Sequence, residues 1–473
     1  MGSNLNELSL QEALAQLENG SVSSTHLTEA CLDAIEHHDG HLNSYIEVYT
    51  NSARVGAQAA DELLKRGHSK PLLGIPLAHK DMYYRIGRVS TCGSLIMTQY
   101  KATTTATVLE SLDAAGAIEL GSLNMSEFAA GPTGHNVHFG NVCNPWNLAH
   151  ISGGSSSGPG AAVAARLCFG ALGSDTGASI RVPAACCGVV GLKPTYGRVS
   201  RYGAMPRSWS NDTMGPLTRT VADAALMMDI IAGYDPKDST SLNVTKPDYV
   251  GALATSIRGL RIGLPKFHFA AGVAPEILAI LDESRHILES LGCALVDVDV
   301  PDPKLLYDLG ETLSKAEAST IHRRWLKERP QDYSDHVRSR LEAGQALPSN
   351  RYLEALSLRA AVTRDFVASA FAQADVLHLP VLGQPVPTIA ETDFHSSATV
   401  GETVSSITRF TRPINYLGLP SLSVPCGFSE GQLPVAFQLV GRPLDEDRLM
   451  ALGHQYQQAT DWHTVIPSMK PSH

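Results

Sequence analysis

Short apolar runs alternate with helix-patterned segments along most of this chain. That alternation constrains the fold more than any other feature. PLLGIPLAHKDMY (71–83) is an apolar run of strand length. Residues 105–115 carry helical periodicity and stop at Gly116, and AIELG (117–121) reads as the next strand. AAVAARL (161–167) is a helix pattern, and CFGALGSDTGAS (168–179) a strand followed by a tight loop. Residues 220–232 are helical, and LRIGLP (260–265) and CALVDVDV (293–300) are strands around a helix at 274–291. Residues 304–373 read as mostly helical, DVLHLP (375–380) as a strand with a proline-rich loop after it. SLSVPCGF (421–428) and VAFQLVGRP (435–443) read as paired strands before a last helix over about 445–459. Residues 9–66 read as helices, opened by the capping box Ser9-x-x-Glu12. Such alternation predicts an α/β fold with a largely parallel sheet covered on both faces.

Composition narrows the class. Apolar residues make up 43% and charged residues 18%, so a large core can form. The formal net charge of −10 argues against nucleic acid or an anionic membrane as partner. The N-terminal MGSNLNELSLQEALAQL lacks a signal-peptide pattern, and no apolar run has the length of a membrane span. A soluble, cytoplasmic protein is expected. The eight cysteines form no C-x-x-C pair and are expected to be buried free thiols. His37, His38 and His41, and likewise His135 and His138, lack a helical i, i+4 pair with a companion acid, so no metal is expected.

Three elements carry chemistry. The first is Lys80, a lysine inside a strand expected to be buried. Burial disfavours its charged form and draws its pKa toward that of a base; pairing with Asp81 is the alternative. The second is ISGGSSSGPG (151–160), which reads as a flexible linker, as a G-x-S-x-G nucleophile elbow centred on Ser156, or as a loop presenting serine hydroxyls. Apolar structure flanks it on both sides, which opposes the linker. The preceding NPWNLAHIS is polar and proline-interrupted, which opposes the elbow. The third is GSDTGASIRVP (173–183), where backbone amides in a turn can converge on an anion and Asp175 and Arg181 bracket that turn.

Together these elements resemble the amidase signature family. The resemblance rests on Lys80 in GIPLAHKD, GGSSSG at 153–158, and DTGASIRVP at 175–183. The intervals from residue 80 to 155 and from 155 to 179 match the family's. It continues through GLKPTYGRVSRYG, GPLTRTVADAA, RPINYLGLPSLSVP and LPVAFQLVGRP, and is weakest over about 245–375. It implies one domain over 1–473 built on a large twisted mixed sheet. That domain would comprise N-terminal helices (1–66), a catalytic core (67–245), a variable, mostly helical substrate-shaping region (246–375) and C-terminal strands and helix (376–473).

The resemblance further implies Ser179 as nucleophile, Ser155 as bridging serine after a cis Gly154–Ser155 bond, and Lys80 as base. The N–H groups of Thr176, Gly177, Ala178 and Ser179 would form an oxyanion hole. Gly154, Ser156, Asp175 and Arg181 would support the site. Met125, Phe128, Ala130 and Gly131 are candidate pocket wall, or ordinary core. Ala178 stands where the family often has glycine, so a left-handed φ there would strain it. Pro159 also replaces a small residue and would stiffen the helix start.

No cofactor or metal is implied. The expected activity is hydrolysis of small amides or anilides, with carbamates as a further class, by a stand-alone monomer or homodimer with no nucleic-acid or membrane partner. The alternative is the glutaminase component, the A subunit, of a tRNA-dependent amidotransferase. The charge of −10 and the altered GSSSGPG and SWSNDTMGP segments favour the former. A catalytically dead scaffold is opposed by intact Lys80, Ser155 and Ser179. The elbow and the lysine-based readings separate cleanly. With Ser156 as nucleophile, Ser156→Ala abolishes acyl-enzyme formation and Lys80→Ala does not. With Ser179 as nucleophile, Lys80→Ala and Ser179→Ala each lower kcat by several orders of magnitude in a steady-state assay.

Overall fold

The computed structural model describes residues 5–265, 271–394 and 400–469. Its strands in chain order are β1 (Tyr45–Val48), β2 (Pro76–Lys80), β3 (Ile118–Leu123), β4 (Cys143–Asn144), β5 (Asn147–Ile151), β6 (Gly170–Asp175), β7 (Val190–Lys193), β8 (Thr213–Thr218), β9 (Arg261–Pro265), β10 (Ala294–Val298), β11 (Val376–Pro380), β12 (Ser421–Phe428) and β13 (Pro434–Val440). β4 and β5 pair as a small hairpin; the others form an 11-stranded sheet in the order β1-β3-β2-β6-β8-β7-β12-β13-β11-β9-β10.

The sheet is mixed. The pairs β3–β2, β2–β6, β11–β9 and β9–β10 are parallel. Every pairing from β6 across to β11, and β1 on β3, is antiparallel. The strand–helix alternation therefore overstates parallel pairing. Helices link strands on the two flanks, but β7 reaches β8 through a loop and β12 reaches β13 through a short turn, and such connections reverse the chain. Five strands escaped the sequence pattern: the edge strand β1, the hairpin β4–β5, and β7 and β8 at the sheet's centre. β8 contains Pro216 yet lies between β6 and β7, a central position that proline normally avoids. β7 ends on Lys193, which is wholly buried with its Nζ 2.9 Å from the Pro194 carbonyl. Residues 9–66 are not all helical either: Tyr45–Val48 forms the edge strand β1.

Helices cover the sheet by ordinary amphipathic logic. The helix Pro275–Ser290 buries Ile277, Leu281, Ser284 and Leu288 at spacings of three and four. The region 304–373 forms Pro303–Glu328, Asp335–Gln345 and Ser349–Ala370. Among the described residues no helix is long and apolar enough to cross a membrane. All eight cysteines are free.

One charge pair ties the sheet's centre to its C-terminal elements. Asp175 ends β6, and Arg181 opens the helix Arg181–Cys187; both are fully buried. Arg181 Nε lies 3.0 Å and Nη2 3.1 Å from the Asp175 carboxylate. The same guanidinium donates to Gln438 Oε1 on β13 at 2.9 Å, to Asn415 Oδ1 at 2.6 Å and to the Thr411 carbonyl at 3.1 Å. Asn415 Nδ2 returns a bond of 2.8 Å to Asp175. Burial alone would raise the Asp175 pKa, but Arg181 outweighs it and holds the carboxyl at about 2. Removing one member of such a pair strands the other in the core. Asp175→Ala should lower the unfolding free energy by about 3–5 kcal/mol in urea titrations, and the double change Asp175→Leu with Arg181→Met should recover part of that loss.

Candidate active site

β2 and β6 are neighbouring parallel strands, so Lys80 and Asp175, far apart in the chain, end side by side. The carboxyl ends of adjacent parallel strands are where open α/β sheets place their ligands. Lys80 is 1% exposed. Its Nζ lies 2.7 Å from Ser155 Oγ and 2.9 Å from Ser174 Oγ. Asp81 does not take it up: that carboxylate accepts from the Thr91 amide at 2.9 Å and from the Thr91 hydroxyl. Burial brings the Lys80 pKa down to about 7, against the pull of Asp175 and Asp212. About half of the amine is therefore neutral near pH 7, and that fraction can accept a proton.

ISGGSSSGPG is an ordered, buried loop. The Gly154–Ser155 peptide bond is cis. Gly153 has a φ of +74°, and a side chain there would lie 2.8 Å from the Pro183 backbone. A Cβ at Gly158 would come within 2.4 Å of the Ser44 carbonyl, so the backbone itself packs there. Ser155 and Ser156 are both fully buried. The Ser156 hydroxyl bonds the Ser174 backbone, at 3.3 Å to its N and 3.3 Å to its carbonyl. This occupies Ser156 with structure and removes the elbow reading, which needs an exposed hydroxyl. The helix Ser157–Ala164 follows, with Pro159 in its first turn, where the missing N–H breaks no helical bond.

The turn after β6 holds Ser179, 7% exposed. Its carbonyl accepts from the Ser156 N–H at 3.2 Å, which joins the two serine loops. Its hydroxyl has no hydrogen-bond partner among the described residues. Neither Gly177 nor Ala178 has a positive φ, so alanine at 178 carries no left-handed strain. Asp175 Oδ2 accepts from the Ile180 N–H at 3.1 Å, and Thr176 Oγ1 donates to Asp212 Oδ1 at 2.6 Å, so the turn is held at both ends.

A small recess opens over this turn. It is lined by Thr176 to Ser179, by Ala130 and Gly131, and by Arg207, Arg340 and Arg412. Met125 and Phe128, expected as wall, lie elsewhere. The Phe128 ring packs against His322, Trp325 and Tyr333 at centroid distances of 4.3, 5.9 and 5.8 Å. Met125 is buried, with its carbonyl held by Asn136. Their segment serves as a strut: Glu127 accepts from Ser94, His138 and Ser334.

Sequence reasoning missed Ser174 and the three arginines. Ser174 was findable, because it precedes Asp175 on a strand parallel to that of Lys80. The arginines come from three separated segments with no shared motif.

A sheet of this topology with a buried lysine bonded to one serine and a second serine in an adjacent glycine turn defines a carbon–nitrogen hydrolase of the amidase signature class. The family model described as Amidase matches residues 26–450, and the chain belongs to that family. It is 41% identical to the A subunit of a glutamyl-tRNA(Gln) amidotransferase from Halorhodospira halophila, over 98% of this chain and 99% of that protein. Among solved structures it resembles the A subunit of the Thermotoga maritima glutamyl-tRNA(Gln) amidotransferase (29% identity, 99% of both chains, TM-score 0.83). It also resembles a bacterial aryl acylamidase of the amidase signature family (27% identity, 99% and 100% of the chains, TM-score 0.88).

These relatives overturn the preference for a stand-alone hydrolase of small amides, anilides or carbamates. They favour the amidotransferase alternative. The expectation of no nucleic-acid partner falls with it, since these relatives are named for glutamyl-tRNA. A net charge of −10 averages the whole chain and does not fix the sign of any one part of its surface.

If Lys80 is the base that the family resemblance implies, its protonation state sets a pH profile. Its folded pKa is lowered to about 7, so the competent neutral form is lost as pH falls through 7. kcat/KM for amide hydrolysis should drop about tenfold per pH unit below pH 6 and level off above pH 8. A flat profile down to pH 5 would exclude Lys80 as the base.

Proposed function

We propose that this chain is the glutamine-hydrolysing component of a tRNA-dependent amidotransferase, releasing ammonia for transfer by partner subunits to a charged tRNA. Identity of 41% across essentially the whole of both chains carries this reading.

The chemistry follows from the residues at the sheet's centre. A serine hydroxyl is a weak nucleophile until a neighbour takes its proton. Neutral Lys80 removes the proton of Ser155 across the 2.7 Å bond, and Ser155 removes that of Ser179. Ser179 Oγ then attacks the side-chain amide carbon of glutamine. The oxyanion sits against the N–H groups of Thr176, Gly177, Ala178 and Ser179, each donor worth about 3–4 kcal/mol in the transition state. As the C–N bond breaks, the proton returns through Ser155 to the nitrogen, and ammonia leaves. Water, activated by the same relay, cleaves the acyl-Ser179 ester and frees glutamate. Asp175 and Arg181 hold the turn, Gly154 and Ser156 hold the serine loop, and Ala130 and Gly131 border the substrate.

A fluorophosphonate should label Ser179, and the label should vanish in Ser179→Ala and fall sharply in Lys80→Ala. Combined with the partner subunits and glutamyl-tRNA, the chain should release ammonia from glutamine, and Ser179→Ala should abolish that release. Unlabelled Ser179, or an assembled complex indifferent to Ser179→Ala, would overturn the reading.

A further inference from the structure

Three arginines from distant segments converge on the recess over Ser179. Arg207 follows β7 in the loop to β8, Arg340 lies on Asp335–Gln345, and Arg412 opens the helix Arg412–Leu417. Arg412 lies against the catalytic turn: a methyl group on Gly177 would sit 3.5 Å from its guanidinium carbon. Arg340 Nη1 donates to the Ala130 carbonyl at 2.7 Å. Arg207 Nη1 and Arg412 Nε are buried and unpartnered.

Among the described residues no carboxylate pairs with any of the three. The neighbouring acids are committed elsewhere. Asp212 accepts from the Thr176 hydroxyl and from the amides of Arg207 and Ser208. Glu317 accepts from the Ser208 hydroxyl and the Ser210 amide, and Glu311 pairs with Lys315 at 3.2 Å. Burial, and then the charges of Arg340 and Arg412, press the Arg207 pKa down to about 10. Ser314 and Thr408, the other side-chain hydroxyls facing the recess beyond the turn itself, are neutral.

Three mutually repelling cations, two of them with open donors, are satisfied by an anion, and a guanidinium fork matches a carboxylate. Among the described residues that line the recess, none offers an acid to an ammonium group. We infer that this recess selects an amide whose acyl chain ends in a carboxylate and carries no ammonium, the half-amide of a dicarboxylic acid. This rests on Ser179 being the nucleophile toward a terminal amide. Glutamine is then held through its α-carboxylate alone, and its amino group contributes only repulsion.

The matched probes are glutaric acid monoamide, glutamine and butyramide, which differ in the carboxylate and the ammonium. Ammonia release by the full chain should show kcat/KM for the monoamide at least about tenfold above glutamine and above butyramide. In Arg412→Gln the ratio of monoamide to butyramide should fall by about tenfold or more. A second measurement needs neither turnover nor a variant: by calorimetry, glutarate should bind the unmodified chain about tenfold more tightly than glutamate. Glutamine preferred over its monoamide analogue, or glutamate bound as tightly as glutarate, overturns the inference. If no amide is cleaved but glutarate still binds more tightly than glutamate, the hydrolytic reading fails while the anion recess stands.

Discussion

The buried ion pair between Asp175 and Arg181 is the interaction on which the site's geometry depends. It joins the end of β6, the start of the next helix, β13 and the helix Arg412–Leu417 in one hydrogen-bond network. Such a pair is a poor source of net stability, because desolvating two charges offsets most of their attraction. Its consequence here is positional. The carboxylate also accepts from the Ile180 amide, so the turn bearing Ser179 cannot shift without breaking a fully buried network. Arg412 enters the recess from the helix that Asn415 fastens to Asp175. The pair therefore orients both the turn bearing Ser179 and part of the wall facing it.

Lys80 has the opposite character. It is buried without an acidic partner, next to two hydroxyls, and burial alone lowers its proton affinity. Lys193 is buried as deeply and its pKa is also brought down to about 7, yet its amine meets only a backbone carbonyl. Burial makes a lysine a candidate base; adjacency to an acidic hydrogen makes it useful. The parallel pairing of β2 with β6 brings Ser174 to the amine, and the serine loop, tied to β6 through Ser156, brings Ser155.

Much of the fold was legible because strands such as Val376–Pro380 and Ser421–Phe428 are mostly apolar runs, the pattern expected when both faces of a sheet are covered. β7 and β8 were not, since Lys193 and Pro216 break the pattern and tertiary context overrides local preference. Short motifs at characteristic intervals pointed to Lys80, Ser155 and Ser179, and the structure places the Lys80 amine against Ser155 and the Ser179 turn against the same serine loop. Ser156 shows the limit of motif reading: it stands at the centre of a G-x-S-x-G match, but its hydroxyl is spent on the Ser174 backbone. Phe128 shows another limit, because whether a loop aromatic faces a ligand or a neighbouring helix depends on where residues 322–333 pack.

By itself the sequence determined the class of fold and the family, since these rest on local periodicity and on short motifs held at fixed intervals along the chain. Tertiary structure alone decided which lysine meets a hydroxyl, which serine hydroxyl is tied to the backbone, and which side chains line the recess over Ser179. The three arginines come from positions 207, 340 and 412 and share no periodicity. Their convergence is a property of how the loop after β7 and two separate helices pack over one turn, and no local pattern encodes it.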